Sequence, residues 1–239
     1  MPTAIRPAHC NVVELRQYTL HPGQRDVLID LFDREFVESQ EALGMTVMGQ
    51  FRCLGDADRF VWLRGFADMG VRKAGLAAFY GGPAWRAHRS AANATMIDSD
   101  NVLLLRPAWP GSGIAMQGRS RNAAAATAVP ASVFGVTIFP LLRPAPEELL
   151  ARCRNTLSPS LERAGALTPA WYVSETTPND FPALPVREGE HVLVLAAVSA
   201  RAATIDACAR DAQDELAPWL ARPSDTLRLV PTARSAIHA

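Results

Sequence analysis

Three side chains near the start of the sequence are spaced so that they could act together. Glu14, Arg16 and Tyr18 alternate within Val12–Leu20, a stretch rich in β-branched and aromatic residues that predicts a β-strand. Residues two apart in a strand point to the same side of the sheet. The guanidinium fork and the phenol hydroxyl would then suit a carboxylate, an enolate or a phenolate. The alternatives are a structural ion pair between Glu14 and Arg16, or a face turned to water.

Further candidates lie on a second predicted strand and on the helical segment after it. Trp62, Arg64 and Phe66 alternate within Arg59–Phe66, and pairing with the first strand would extend the same polar face. An aromatic wall with a few polar groups is typical of small-molecule pockets, although Trp62 would also suit a hydrophobic core.

Arg72, Trp85 and His88 follow in the helical segment. Trp85 is more typical of the core than of a ligand contact. His88 could act as a base near neutral pH, although a lone helical histidine more often faces solvent. His21 and His191 have no partner visible in the sequence.

Several classes of function lack their sequence signatures. The chain has no glycine-rich nucleotide loop, nucleophile elbow or HExxH helix, and its four cysteines stand far apart without a zinc pattern. We therefore predict no metal site and no motif-borne cofactor. Non-covalent haem or flavin stays open, because a single axial histidine leaves no spacing pattern.

Charge and hydropathy also restrict the partners and the compartment. A formal net charge of zero gives no electrostatic footprint for nucleic acid or an anionic membrane. Met1–His9 has no apolar core of a signal peptide, and no apolar run reaches the roughly 18 residues of a membrane span. We expect a cytoplasmic protein with reduced cysteines.

Each half of the chain shows the element order β-α-β-β-α-β, which is typical of the ferredoxin-like unit. In both halves, a helix start that contains Pro and Trp precedes a strand that begins with Asp and ends in Pro. The two pairs are Pro83-Ala-Trp85 before 100–107 and Ala217-Pro-Trp219 before 225–231, and they indicate a duplication. The predicted strands are 12–20, 45–53, 59–66 and 101–106 in the first half, and 132–139, 168–175, 191–199 and 225–230 in the second.

We therefore predict an α+β fold made of tandem ferredoxin-like repeats, with domains at residues 10–107 and 132–235. Residues 108–131 predict a low-complexity linker that contributes little to the core. The bare faces of the two sheets would stack on each other as a pseudo-dimeric α/β barrel. In that arrangement Glu14, Arg16 and Tyr18 would line a space between the sheets, whereas Gln17 would face the helices.

The first strand also resembles the opening signature of the NIPSNAP family. The resemblance is carried by Glu14-Leu-Arg-Gln-Tyr-Thr-Leu20 with Pro22-Gly23, Gly49-Gln-Phe51, Leu54-Gly55, Trp62, Arg72 and Trp85, and Gln17 stands where the family usually has Thr. Residues 179–190 and 231–235 look like stretches of bacterial members. The resemblance implies a dimeric α/β-barrel architecture and leaves the activity undefined.

Two functions of different classes are compatible with these patterns. The first is a barrel that binds a small anionic, phenolic or enolisable molecule, by fold analogy with cofactor-independent oxygenases or isomerases. The second is a non-catalytic protein-interaction module with a filled barrel. A pocket of several hundred cubic ångströms lined by the candidate residues would favour the first function. Further association of the chains into a homo-oligomer is compatible with both.

Overall fold

Eight antiparallel strands close into one barrel in the computed structural model, which describes residues 10–239. The expectation about a signal peptide at Met1–His9 concerns residues outside this range. Around the barrel the strand order is β1-β3-β2-β8-β5-β7-β6-β4. The strands are β1 (Val12–Leu20), β2 (Thr46–Cys53), β3 (Arg59–Phe66), β4 (Met96–Pro107), β5 (Val133–Pro140), β6 (Leu167–Ser174), β7 (Val192–Ser199) and β8 (Asp225–Pro231).

Helices cover the outside of the barrel. They are α1 (Arg25–Leu31), α2 (Val37–Glu41), α3 (Met69–Tyr80), α4 (Pro83–Asn93), α5 (Glu147–Arg152), α6 (Ser158–Arg163) and α7 (Ala202–Leu216). A π-helical turn joins α1 to α2 at Phe32–Phe36, and another joins α5 to α6 at Cys153–Leu157. Within residues 10–239, no helix combines the length and the apolar character needed to cross a membrane.

Local sequence signals explain where the helices begin and end. The Asp68 carboxylate accepts a hydrogen bond from the Val71 amide at 2.7 Å and caps α3, while Pro83 occupies the first turn of α4. Gly44 follows α2 with a φ of +81°, a left-handed conformation that glycine adopts without steric cost. These signals place the predicted elements of the first half correctly, although β4 begins five residues before the predicted residue 101.

The barrel interior is filled by apolar side chains. Val13 and Leu15 of β1 pack there with residues from the other strands, among them Phe51, Leu63, Phe134, Val194 and Leu229. Buried area of this kind stabilises the fold by about 25 cal/mol per Å² of apolar surface. The expected cavity between the two sheets is therefore wrong, because the side chains themselves occupy that space.

Part of the predicted linker belongs to this core. Ile114 and Met116 pack into the barrel cluster, and Met116 is fully buried. The backbone amide of Ile114 donates to the Tyr172 hydroxyl at 2.7 Å, which fixes the segment against β6. The expectation that residues 108–131 contribute little to the core is therefore wrong for this part, since Ile114 and Met116 reach the core although the segment has no periodic apolar pattern.

The two faces of β1 are opposite to the prediction. Val13 and Leu15 face the barrel interior, and the alternation of the strand puts Gln17 on their side. Tyr18 packs instead with the aromatic residues of the first-half helices. The polar face of β1 therefore lies between the sheet and its covering helices.

Candidate ligand site

Pairing of β1 with β3 brings the first two charged candidates side by side. Glu14 is directly opposite Arg64, and Arg16 is opposite Trp62, in the antiparallel register. Residues that are opposite each other share a face, so all four side chains point toward the helices. The predicted proximity of the two strands is confirmed.

Glu14 is the centre of a fully buried cluster of charges, called here the Glu14 cluster and consisting of Glu14, Arg16, Arg64 and Arg72. Oε2 of Glu14 accepts from Arg16 Nη1 at 3.0 Å and from Arg64 Nη2 at 2.6 Å. Oε1 accepts from Arg72 Nε at 2.8 Å. None of the four side chains is more than 1% exposed. Charge-assisted hydrogen bonds of this geometry offset the cost of removing the ions from water.

Further polar groups hold the guanidinium groups in place. Arg64 Nη1 donates to the Gln40 Oε1 atom at 2.8 Å, and the Gln40 amide donates to the Phe36 carbonyl at 2.7 Å. Arg16 Nε donates to the Tyr18 hydroxyl oxygen at 3.0 Å. The π-helical turn thus presents its carbonyl to the same network as β1 and β3.

The loop between β6 and β7 reaches the cluster from the second half of the chain. Arg72 Nη1 donates to Asn179 Oδ1 and to Asp180 Oδ1, both at 3.0 Å. Asp180 is 27% exposed, so this ion pair forms the outer edge of the buried network.

Positive charge exceeds negative charge in this network. Within residues 10–239, the three guanidinium groups have two carboxylate partners, Glu14 and Asp180, which leaves one positive charge in excess. Burial raises the pKa of Glu14, but the charges of Arg64, Arg16 and Arg72 outweigh that effect, so its pKa lies below the usual value. Glu14 is therefore ionised at neutral pH.

Tyr18 remains a neutral phenol. Burial raises the pKa of Tyr18, although the charge of Arg16 opposes the change. Arg16 occupies a lone pair of the Tyr18 oxygen, so the phenol keeps its own proton for donation to an acceptor. A neutral donor polarised by a cation is suited to an oxyanion.

Two buried donors of this region have no hydrogen-bond partner among the described residues. They are Arg72 Nη2 and Trp62 Nε1. Leaving a buried donor unsatisfied costs about 1–3 kcal/mol. Trp62 also contacts two cluster members, since the guanidinium carbons of Arg16 and Arg64 lie 5.7 and 5.0 Å from its ring.

A narrow aromatic cavity adjoins Trp62. It has a volume of about 30 Å³, which holds about one or two water molecules. Tyr18, Gln40, Trp62, Tyr80 and Trp85 line it together with apolar residues of α1, α3 and α4. The cavity is thus much smaller than the pocket expected for a bound substrate, and it lies outside the barrel.

Trp85 and His88, the remaining predicted site residues, lie in different surroundings from each other. Trp85 lines the cavity and packs its ring 4.9 Å from that of Tyr80. His88 does not line the cavity; its Nε2 atom lies 3.4 Å from Glu35 Oε2 and its side chain is 33% exposed. The structure therefore gives His88 no contact with the Glu14 cluster among the described residues.

Four residues of the site were missed by sequence reasoning: Gln40, Tyr80, Asn179 and Asp180. No local spacing links the last two to β1, because they lie in a loop of the other half. Within the described part of the chain, no group of three or more His, Cys, Asp and Glu residues could hold a metal ion.

These features define an α+β protein with an eight-stranded antiparallel barrel and a buried arginine-rich cluster beneath the helices of its first half. Residues 13–109 match the family model of NIPSNAP, so this part of the chain is a NIPSNAP domain. The match includes every member of the Glu14 cluster. It does not include Asn179 and Asp180.

Solved structures share the whole barrel at low sequence identity. A candidate monooxygenase from Lactobacillus acidophilus is 12% identical over 95% of this chain and 98% of its own, with a TM-score of 0.58. A candidate monooxygenase from Fusobacterium nucleatum is 8% identical over 95% and 94%, with a TM-score of 0.61. An anthrone oxidase-like protein is 11% identical over 99% and 98%, with a TM-score of 0.56. At these identities the likeness shows the fold, and comparison with curated proteins finds no match.

Proposed function

We propose that the chain binds a small aromatic anion, a phenolate, enolate or carboxylate, in the aromatic cavity beside the Glu14 cluster. The observation that carries this proposal is the excess of one buried positive charge on arginines whose contacts, Tyr18, Gln40 and Trp62, line that cavity. A bound anion would balance the charge, and Trp62 Nε1 would gain an acceptor. The small volume means that the covering groups must move apart when such a ligand enters.

We also propose that the two halves, residues 10–107 and 132–235, are tandem ferredoxin-like copies joined by 108–131. β1, the first π-helical turn and β2 begin at residues 12, 32 and 46, and β5, the second π-helical turn and β6 begin at 133, 153 and 167, a constant offset of 121. β3 and α3 begin at 59 and 69, and β7 and α7 begin at 192 and 202, an offset of 133.

This correspondence supports a functional role for the cluster. At these offsets Glu14, Arg16, Arg64 and Arg72 correspond to Gly135, Thr137, Ala197 and Ile205. Gly135 packs directly on Ile205, where a Cβ atom would lie 2.3 Å from the isoleucine side chain. The same architecture is thus built in the second half without ions at the four positions that correspond to the Glu14 cluster. Because burying an ion pair is rarely better than apolar packing, the charges in the first half call for a reason beyond stability.

The chemistry expected of the site is stabilisation of negative charge. The net positive charge would lower the pKa of a bound phenol or enol, and Tyr18 would donate to the resulting oxyanion. Forming an enolate or a phenolate is the step that a cofactor-independent oxygenase requires, and barrel neighbours named for monooxygenase and anthrone oxidase functions support this class. The position of His88 gives it no part in the proposal, which assigns no general base.

The second candidate function is a protein-interaction module. The observation that favours it is the filled interior of the barrel, which was the expected mark of such a module. In that case the Glu14 cluster would only join β1, β3 and α3. The two candidates differ in whether the cluster changes the ionisation of a small molecule.

The test uses 4-nitrophenol, whose phenol and phenolate absorb at different wavelengths. Titration with the full chain should lower the pKa of the bound probe, and Tyr18→Phe should weaken binding about tenfold, as expected for one buried hydrogen bond to an anion. Tyr172→Phe is the matched control, because it removes a buried hydroxyl from the barrel interior. An unchanged absorption spectrum, or equal effects of the two substitutions, would exclude the binding proposal and favour the interaction module.

A further inference from the structure

The connection between β6 and β7 is long and crosses to the other half of the molecule. It comprises residues 175–191, whereas the connection between β2 and β3 comprises only residues 54–58. The loop carries Asn179 and Asp180 to Arg72, and the Phe181 ring lies 6.2 Å from the ring of Tyr80. Since Tyr80 lines the aromatic cavity, the middle of this loop adjoins the candidate site through Phe181 on Tyr80 and through Asp180 on Arg72.

The two ends of the loop are fixed to β4. The Glu175 amide donates to the Leu104 carbonyl at 2.9 Å, and the Arg187 amide donates to the Val102 carbonyl at 2.8 Å. Between these anchors, a space of about 230 Å³ separates part of the loop from β4. The residues in between are thus attached chiefly through Arg72 and through packing of the half-buried Phe181 and Leu184. A segment with fixed ends and few buried contacts can open locally at low cost.

We infer that Asp180 is a built-in competitor of the anion and that residues 176–186 act as a lid controlled by this competition. The inference rests on the proposed anion site. Asp180 reduces the excess charge of the network from two to one while it contacts Arg72. An anion bound beside the Glu14 cluster would be attracted by the same positive charge and repelled by the Asp180 carboxylate. Binding of the anion and docking of Asp180 therefore oppose each other.

The contact of Asp180 with Arg72, called here the latch, has a neutral polar neighbour in Asn179. Its Oδ1 atom shares Arg72 Nη1 with Asp180, and its own amide donates to the Leu184 carbonyl at 3.0 Å. The turn that presents Asp180 is therefore preformed within the loop. Loss of the carboxylate charge alone should leave the turn intact while it removes the competition.

The first measurement needs no ligand. Hydrogen exchange of the peptide 176–186 is compared in the unmodified chain, in Asp180→Asn and in Glu188→Gln, a control that removes an exposed carboxylate from the same loop. Asp180→Asn should increase the exchange rate of the peptide several-fold, because the ion pair with Arg72 is lost. Glu188→Gln should leave it unchanged. Equal exchange in Asp180→Asn and the unmodified chain would overturn the latch.

The second measurement uses benzoate as the anion and benzyl alcohol as its neutral counterpart, with affinities from calorimetry. Asp180→Asn should bind benzoate about fivefold or more tightly, because one opposing charge is removed, and should bind benzyl alcohol unchanged. Benzoate should also increase exchange of 176–186 in the unmodified chain. Weaker benzoate binding in Asp180→Asn would show that Asp180 positions Arg72, and would overturn the competition.

The two measurements separate the latch from the proposed function. Increased exchange in Asp180→Asn without benzoate binding by either protein would contradict the anion site and retain the latch between Asp180 and Arg72. Benzoate binding that is unaffected by Asp180→Asn would retain the anion site and overturn the competition.

Discussion

Arg64 Nη2 donates to Glu14 Oε2 over 2.6 Å, although the two residues are 50 positions apart in the sequence. Both side chains are fully buried, and the same carboxylate also binds Arg16 and Arg72. A single acid therefore neutralises part of the charge of three bases. This arrangement makes the effect of each substitution depend on the residues that remain.

Removing Glu14 should be costly, and removing an arginine with it should restore part of the loss. Glu14→Gln leaves three buried guanidinium groups without their central acid, which should lower the free energy of unfolding by about 3–5 kcal/mol. The double change Glu14→Gln and Arg64→Met should cost less than the sum of the two single changes. Guanidinium chloride unfolding of all four proteins measures the coupling. Additive losses would show that the two charges do not stabilise each other.

Asp33 should make stability fall as the pH rises. Burial raises the pKa of Asp33 from 3.8 to about 6, and the hydrogen bond from Thr232 and the charge of Arg234 oppose this only in part. The folded chain thus binds the proton more tightly than the unfolded chain between these pH values. The stabilising contribution is complete below about pH 4 and is lost as the pH rises through about 6.

Asp33→Asn should remove this dependence. Relative to the unmodified chain, its free energy of unfolding should increase by about 1–3 kcal/mol between pH 4 and pH 7, as a shift of about two pKa units requires. The control is Asp30→Asn, which changes an exposed acid in α1, three residues before Asp33. Chemical denaturation at several pH values measures both. Parallel pH profiles for Asp33→Asn and the unmodified chain would contradict the assigned pKa.

Met116 should be essential to the barrel core although it lies in a segment without helix or strand. Met116→Ala removes a fully buried side chain, and such a change costs about 2–4 kcal/mol. Ala123→Ser, in an exposed part of the same segment, should change stability by less than about 0.5 kcal/mol. Thermal unfolding of the two variants makes the comparison. A small effect of Met116→Ala would restore the interpretation of the segment as a simple linker.

The contact between Gly135 and Ile205 should not tolerate a methyl group. An alanine Cβ at Gly135 would lie 2.3 Å from Ile205 Cγ2, so overpacking should cost about 1–3 kcal/mol. Gly135→Ala combined with Ile205→Ala should cost less than the sum of the single changes. Gly55→Ala is the control, because no atom lies within 4 Å of its added Cβ. If both glycine substitutions were equally mild, the packing of α7 on β5 would be looser than described.

The sequence predicted elements whose signals are local. The alternation in Val12–Leu20 and Arg59–Phe66 is enough to identify two strands, and Gly44 and Pro83 mark the end of one helix and the start of another. The π-helical turns were not predicted, because their apolar spacing fits an ordinary helix as well. The grouping of Glu14, Arg16 and Tyr18 on one face was also correct, since a strand has a period of two.

Which face of β1 is turned inward was decided by the tertiary structure alone. Alternation defines two faces but does not indicate which of them faces the barrel interior. Either face can be buried once the charges of Glu14 and Arg16 are paired. When the eight strands close into one barrel, Val13 and Leu15 face the interior, and the charged side chains of Glu14 and Arg16 lie beneath the helices. Arg72 and Asp180 joined them from a helix and a distant loop, because only the folded chain brings residues 108 positions apart within 3.0 Å.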